Sequence, residues 1–304
     1  MKITWLRGGI VTVLIAAGLS FWWLYEPSLP QRPVPRRPRL IAHAGGAIDG
    51  RTYTNSLEAL DANYARGHRY FELDFHWISD DHLVLIHDWE ATLKGHFTHP
   101  AGQPSLAEFQ SLAMKHGLHQ MTLENLLAWL AAHPDAYVVT DVKQRNLEAL
   151  RQISQAAGDR IRQFIPQIYE RNEYARARRL GFPNLIFTLY RSKSSNWKIL
   201  KFAARNPLFA VTMSLRRVSG EALAQRLNRS GVFVYVHTIN STQQWQALCR
   251  EGVCGLYTDH LTPEDMSRAQ AASVAERLRH PPQARPIPAL TENRHGSPPG
   301  TGQP

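Results

Sequence analysis

Residues 70–88 read Tyr70-Phe71-Glu72-Leu73-Asp74-Phe75-His76-Trp77-Ile78-Ser79-Asp80-Asp81-His82-Leu83-Val84-Leu85-Ile86-His87-Asp88. The start of this stretch alternates cleanly. Phe71, Leu73 and Phe75 share one face of a strand, and Glu72, Asp74 and His76 share the other. A second apolar run, Leu83–His87, follows across only Ile78-Ser79-Asp80-Asp81-His82. That gap is too short for a helical crossover, so the two runs predict an antiparallel hairpin. A turn centred between Ser79 and Asp80 pairs residues whose numbers sum to about 159, which sets Glu72 opposite His87.

Outward from this hairpin, apolar β-type runs recur, each followed by a helical stretch. The runs are 40–44, 70–76, 137–143, 164–169, 185–190, 208–214, 232–237 and 255–258. Helical patterns lie between them at 56–65, 122–132, 147–156, 173–180 and 242–250. Eight such alternations predict a (β/α)8 barrel of the TIM type with the hairpin inserted. A doubly wound open sheet competes with it, but no Gly-x-Gly-x-x-Gly follows the first run. In a barrel the apolar face of 70–76 packs under the helices and the acidic face points into the mouth.

Two carboxylates at i, i+2 repel each other unless a cation lies between them. A hard divalent ion with oxygen ligands is the natural candidate; a solvated polar face or a salt-bridged pair is the bland one. Asp141 and Lys143 repeat the spacing at the end of an otherwise apolar strand, where burial without a role is expensive. His43 ends the first run, and His87-Asp88 ends the hairpin. One histidine alone is more often structural. Two of them with the acids, all at strand ends, point to a catalytic mouth.

These residues resemble the glycerophosphodiester phosphodiesterase family. The resemblance rests on Ile41-Ala42-His43-Ala44-Gly45, Asn55-Ser56, Glu72-Leu73-Asp74 and Leu83-Val84-Leu85-Ile86-His87-Asp88. Thr122-Leu123-Glu124, Thr140-Asp141-Val142-Lys143, His237-Thr238-Ile239-Asn240 and Gly255-Leu256-Tyr257-Thr258-Asp259 agree with it. It runs from about Leu40 to Leu261 and implies a barrel of the phospholipase-C-like phosphodiesterase type. By that resemblance Glu72, Asp74 and Asp141 bind Mg2+ or Ca2+, and His43 and His87 form the acid–base pair. Lys143 contacts the phosphate. The family usually has Glu where this chain has Asp141; the Asp-x-Lys version is similar to the related sphingomyelinase D branch. The family's first motif is His-Arg-Gly, and its Arg helps hold the phosphate; here that position is Ala44. Thr54 replaces a family Glu, and His237 stands where Trp is frequent. Phosphate binding then leans on Lys143, the metal and Arg51. The implied activity is metal-dependent hydrolysis of glycerophosphodiesters or (lyso)phospholipid head groups. The alternative is a catalytically silent, membrane-anchored module that binds phospholipid head groups.

The 304-residue chain carries a formal net charge of +10. Residues 1–39 hold +5 of it and residues 276–304 hold +2, which leaves +3 for the remainder. A nucleic-acid surface is therefore not expected. Gly8–Tyr25 is uncharged, follows Lys2 and Arg7, and is just long enough to span a bilayer. It is read as a single-pass signal anchor, one transmembrane helix ahead of the barrel. Signals for its orientation conflict, because Arg32, Arg36, Arg37 and Arg39 follow the span. The preferred reading places the barrel outside the cytoplasm, in the periplasm, on a stiff, extended Pro27–Pro38 spacer. The expected segments are an anchor at 1–25, a linker at 26–39, a barrel at 40–275 and a disordered tail at 276–304. Cys249 and Cys254 form either a short-loop disulfide or two free thiols.

Overall fold

Alternating side chains on eight strands supply two apolar layers, one under the helices and one inside a closed barrel. The computed structural model describes residues 31–98 and 102–279. Its strands are β1 (Leu40–Ala42), β2 (Tyr70–Trp77), β3 (Leu83–Leu85), β4 (Met121–Thr122), β5 (Tyr137–Val142), β6 (Phe164–Ile168), β7 (Ile186–Thr188), β8 (Ala210–Ser214), β9 (Val234–His237) and β10 (Gly255–Thr258). The parallel neighbours run β1-β10-β9-β8-β7-β6-β5-β2, and β2 pairs back to β1 to close the ring. Seven of the eight barrel strands lie within the runs expected from the sequence, and β2 exceeds its run by Trp77 alone. The five expected helices occur as Leu57–Ala65, Leu123–Ala132, Asn146–Ala157, Glu173–Arg179 and Thr242–Arg250. Ser56, Thr122 and Ser241 start three of them by accepting the backbone N–H three residues on.

Phe71, Leu73 and Phe75 are fully buried in the layer beneath the helices, with Val138, Val142, Phe164 and Phe187 from neighbouring strands. Ile41, Val139, Ile165, Ile186, Tyr235 and Tyr257 fill the lumen. The acidic face of β2 therefore points inward, as its alternation requires.

The hairpin forms, with a register one residue from that expected. Phe75 pairs Leu85, His76 pairs Val84 and Trp77 pairs Leu83. These numbers sum to 160, and the β2–β3 ladder ends at Phe75 without reaching Glu72. The reason is the pleat: a one-residue slip exchanges faces. The observed register sets Leu83 and Leu85 beside Phe75 and Trp77 in the helix-side core. Val84 and Ile86 then pack with Ile78, Phe97 and Phe109 beneath two short helices, Ala91–His96 and Leu106–Ser111. Those helices lie in the connection to β4, which the sequence pattern did not mark.

Residues 32–39 are not a free-standing spacer. The Arg32 N–H donates to the Arg229 carbonyl at 3.1 Å. The Tyr235 hydroxyl donates to the Pro38 carbonyl at 2.6 Å, and the Arg37 guanidinium lies 4.5 Å from the Phe209 ring centroid. This segment runs along the base of the barrel. Both cysteines are free thiols, and Cys254 Sγ accepts a hydrogen bond from Asn228 Nδ2 at 2.8 Å. The last helix, Pro263–Arg279, continues past the expected barrel limit at residue 275. The Gly8–Tyr25 run lies outside the described residues. Among the described residues no helix is long and apolar enough to cross a membrane.

Candidate active site

The barrel brings His43, Glu72, Asp74, Asp141 and Lys143 to its mouth. Glu72 and Asp74 come from β2, and Asp141 comes from the neighbouring β5, directly opposite Asp74. All three acids are buried, and one ligand oxygen of each lies within 4.8 Å of the others. Oxygen-only donors at this spacing fit a hard divalent cation. The surrounding groups explain how the cluster is held. The Ala44 N–H donates to Glu72 Oε2 at 2.9 Å. Asn55 Nδ2 donates to Asp74 Oδ2 at 3.0 Å, and Asn55 Oδ1 accepts the Asp74 N–H at 3.0 Å. The Tyr169 and Tyr190 hydroxyls both donate to Asp141, the latter at 3.0 Å.

Lys143 Nζ lies 2.7 Å from Asp74 Oδ1 and 2.6 Å from Asp141 Oδ2. Burial alone would lower the pKa of this ammonium, but the three carboxylates outweigh it and raise the pKa. Burial alone would likewise raise that of Asp141, yet the charge and hydrogen bond of Lys143 hold it low. Glu72 goes the other way. Burial, then the charge of Asp74, pushes it up to about 8. Near neutral pH Glu72 therefore keeps its proton in the empty cluster, and a divalent cation among the three acids would displace it.

His43 sits in a tight turn after β1, with Nδ1 2.8 Å from Asp259 Oδ1 and Nε2 3.9 Å from Glu72 Oε2. His87 places its Nδ1 2.9 Å from Asp88 Oδ2. A carboxylate only accepts, so Nδ1 carries the proton of each neutral ring and Nε2 presents its lone pair. Burial tends to lower the pKa of His43, but the Asp259 hydrogen bond and the nearby carboxylates lift it to about 9. Asp88 is fixed in turn by Thr92 Oγ1 at 2.7 Å and by the N–H groups of Glu90 and Thr92. Burial alone would raise its pKa; these hydrogen bonds, with that of His87, hold it well below the usual carboxylate range.

Tyr53 is a site residue that sequence pattern did not reveal. Its ring stands edge-on to both catalytic candidates, 4.8 Å from the ring centroids of His43 and of His87. Its φ of +60° aims it there, and nothing in periodicity or spacing marks it. Asp259 lay inside a quoted fragment, but its partnership with His43 depends on β10 meeting β1. Arg51 is engaged by its own loop: Nη1 donates to the Asp49 carbonyl at 3.3 Å and lies 3.9 Å from the Asp49 carboxylate. His237 ends β9 with its ring 5.8 Å from that of Tyr190; burial lowers its pKa to about 4 and keeps it neutral.

Acids and oriented histidines at the C-terminal strand ends of a parallel barrel mark the place where such barrels carry their active sites. Residues 46–193 match the sequence model of the glycerophosphoryl diester phosphodiesterase family. Similar solved structures include a glycerophosphodiester phosphodiesterase from Thermotoga maritima, 17% identical with a TM-score of 0.60 over 78% of this chain and 99% of that one. Another, from Parabacteroides distasonis, is 16% identical with a TM-score of 0.59 over 77% and 98%. A phosphodiesterase of Oleispira antarctica, solved with the product sn-glycerol-3-phosphate, is 16% identical with a TM-score of 0.61 over 77% and 97%. At these identities the structural likeness speaks for the fold. By class the protein is a phosphoric diester hydrolase. The chain belongs to the glycerophosphodiester phosphodiesterase family.

Proposed function

We propose that the barrel hydrolyses glycerophosphodiesters in a divalent-metal-dependent reaction, with His43 and His87 as the acid–base pair. One observation carries this reading: two histidines, each oriented by its own carboxylate, meet on either side of Tyr53 beside three buried acids. A silent head-group binder needs no such pair of oriented rings. Glu72, Asp74 and Asp141 would hold the cation. When bound, it supplies charge neutralisation at a non-bridging phosphate oxygen.

The remaining work falls to the chain's own groups. His43, fixed by Asp259 beside the acidic cluster, is placed to give the proton that the leaving alkoxide needs. His87 then takes the proton from the nucleophile through Nε2, either from water or from a neighbouring substrate hydroxyl. Asp259 and Asp88 each engage Nδ1, so that Nε2 of His43 faces the site to give its proton and Nε2 of His87 to take one. Lys143 adds positive charge next to Asp74 and Asp141 and is the nearest cation for the phosphate. Arg51 is a weaker second contact, because Asp49 already engages it. The Oleispira antarctica enzyme with its sn-glycerol-3-phosphate product supports a glycerol-phosphate substrate class by likeness.

The direct test is the pair of variants His43→Ala and His87→Ala, assayed on glycerophosphocholine and bis(p-nitrophenyl) phosphate. Each loses about 10²- to 10⁴-fold in turnover, the scale of general acid–base catalysis. Retention of metal-dependent activity in the double variant would sink the assignment.

A further inference from the structure

The base of the barrel carries a groove that the chemistry does not use. Arg39 precedes β1, Phe233 precedes β9 and Cys254 precedes β10, so the groove lies at the strand starts. His43, Asp141 and Asp259 lie at the opposite strand ends. Between the two ends the lumen is filled by Tyr70, Tyr137, Phe209 and Phe233 beneath Ile41 and Val139.

The groove encloses about 1000 Å³. Arg36, Arg37, Arg39 and Arg250 line it, and among the described residues no carboxylate does. Two of these cations are fixed by packing. Arg37 donates to the Phe209 carbonyl at 3.4 Å, and Arg39 lies 5.5 Å from the Trp245 ring centroid with a 3.1 Å hydrogen bond to Gln270. Arg36, Arg39 and Arg250 are exposed. Four like charges around one opening repel each other and together favour an anionic surface. The chain also arrives at this end. Arg32 is pinned to the Arg229 carbonyl, and the apolar run Gly8–Tyr25 ends seven residues earlier. Seven residues reach at most about 25 Å, whatever path they take.

We propose that this groove docks on an anionic phospholipid bilayer through its arginines, leaving the catalytic mouth turned toward water. Charge complementarity and the short tether to the apolar run point to the same occupant. One consequence rests on the catalytic reading above: diesters reaching the mouth come from the aqueous side, already free of their acyl chains.

Cys249 supplies the probe, because it is an exposed thiol in the groove wall. The full chain is placed in nanodiscs of phosphatidylcholine alone or with about 30% phosphatidylglycerol, a strongly anionic surface. Labelling of Cys249 by a polyethylene-glycol maleimide is followed by mass spectrometry. The expected result is labelling at least about fivefold slower on the anionic discs, with the difference lost in about 0.5 M salt, where charges are screened. In the Arg36→Glu/Arg250→Glu variant both disc types label alike, while turnover of a soluble diester is unchanged. Equal labelling of the unaltered chain on the two surfaces overturns the proposal, and so does protection that survives charge reversal. Turnover of the soluble diester is read separately, so failure of the catalytic reading is distinguishable from failure of docking.

Discussion

His43 and Asp259 are 216 residues apart in the chain and 2.8 Å apart in the fold. At this scale the site is a set of paired charges, and removing one partner exposes what it did. Asp259→Asn deletes the anion that offsets the burial of His43. In chelator-treated protein the His43 pKa should then fall from about 9 toward its ordinary value. Histidine titration by NMR checks this; an unchanged value would contradict the partnership. Turnover should drop while KM holds, because the ring loses its orientation and not its place. The residue types were legible in advance. Glu72, Asp74, Asp141, His43 and His87 stood out as polar groups at the ends of apolar strands. Tyr53 did not, because its position depends on a left-handed backbone in a loop.

Asn63 of the helix Leu57–Ala65 ties down the start of the loop that carries Tyr53. Asn63 Nδ2 donates to the carbonyls of Gly45, Ala47 and Ala59 at 3.1, 3.2 and 2.9 Å. A Cβ at Gly46 would lie 2.5 Å from that nitrogen, at a φ of +86°. Gly46→Ala should therefore destabilise by about 2–4 kcal/mol in urea unfolding, from strain plus the displaced hydrogen bonds. A second element-scale prediction concerns His68, buried where the same helix meets β2. Desolvation lowers its pKa to about 4, against 6.5 when exposed. The unfolded chain binds the proton first as pH falls. The contribution is thus complete above pH 6.5 and is lost as pH drops toward 4, by about 3 kcal/mol. His68→Gln should flatten that part of the stability profile between pH 7 and pH 4.5. Element positions were readable from alternation, but register was not. The hairpin slipped by one because packing of Leu83 and Leu85 outweighs the symmetry of the turn.

For the whole molecule, two ends of one barrel carry opposite charge. The mouth gathers buried acids, and the base gathers arginines. The sequence revealed that most of the net charge lies in the flanks. It could not reveal that residues 32–39 fold back along the base, since Pro-rich composition alone reads as an extended spacer. Cation binding at the mouth should stabilise the fold by mass action. Chelation should lower the melting temperature of the unaltered chain and have little effect on an Asp74→Asn/Asp141→Asn variant, as read by scanning calorimetry. The central claim concerns the chemistry at that mouth, and one measurement tests it most directly: release of glycerol phosphate from a glycerophosphodiester by the purified full chain, with and without chelator, beside His43→Ala and His87→Ala. The expected turnover is abolished by chelation, restored by Mg2+ or Ca2+, and lowered about 10²-fold or more in each alanine variant. Turnover that persists in excess chelator, or in both variants, would contradict that claim.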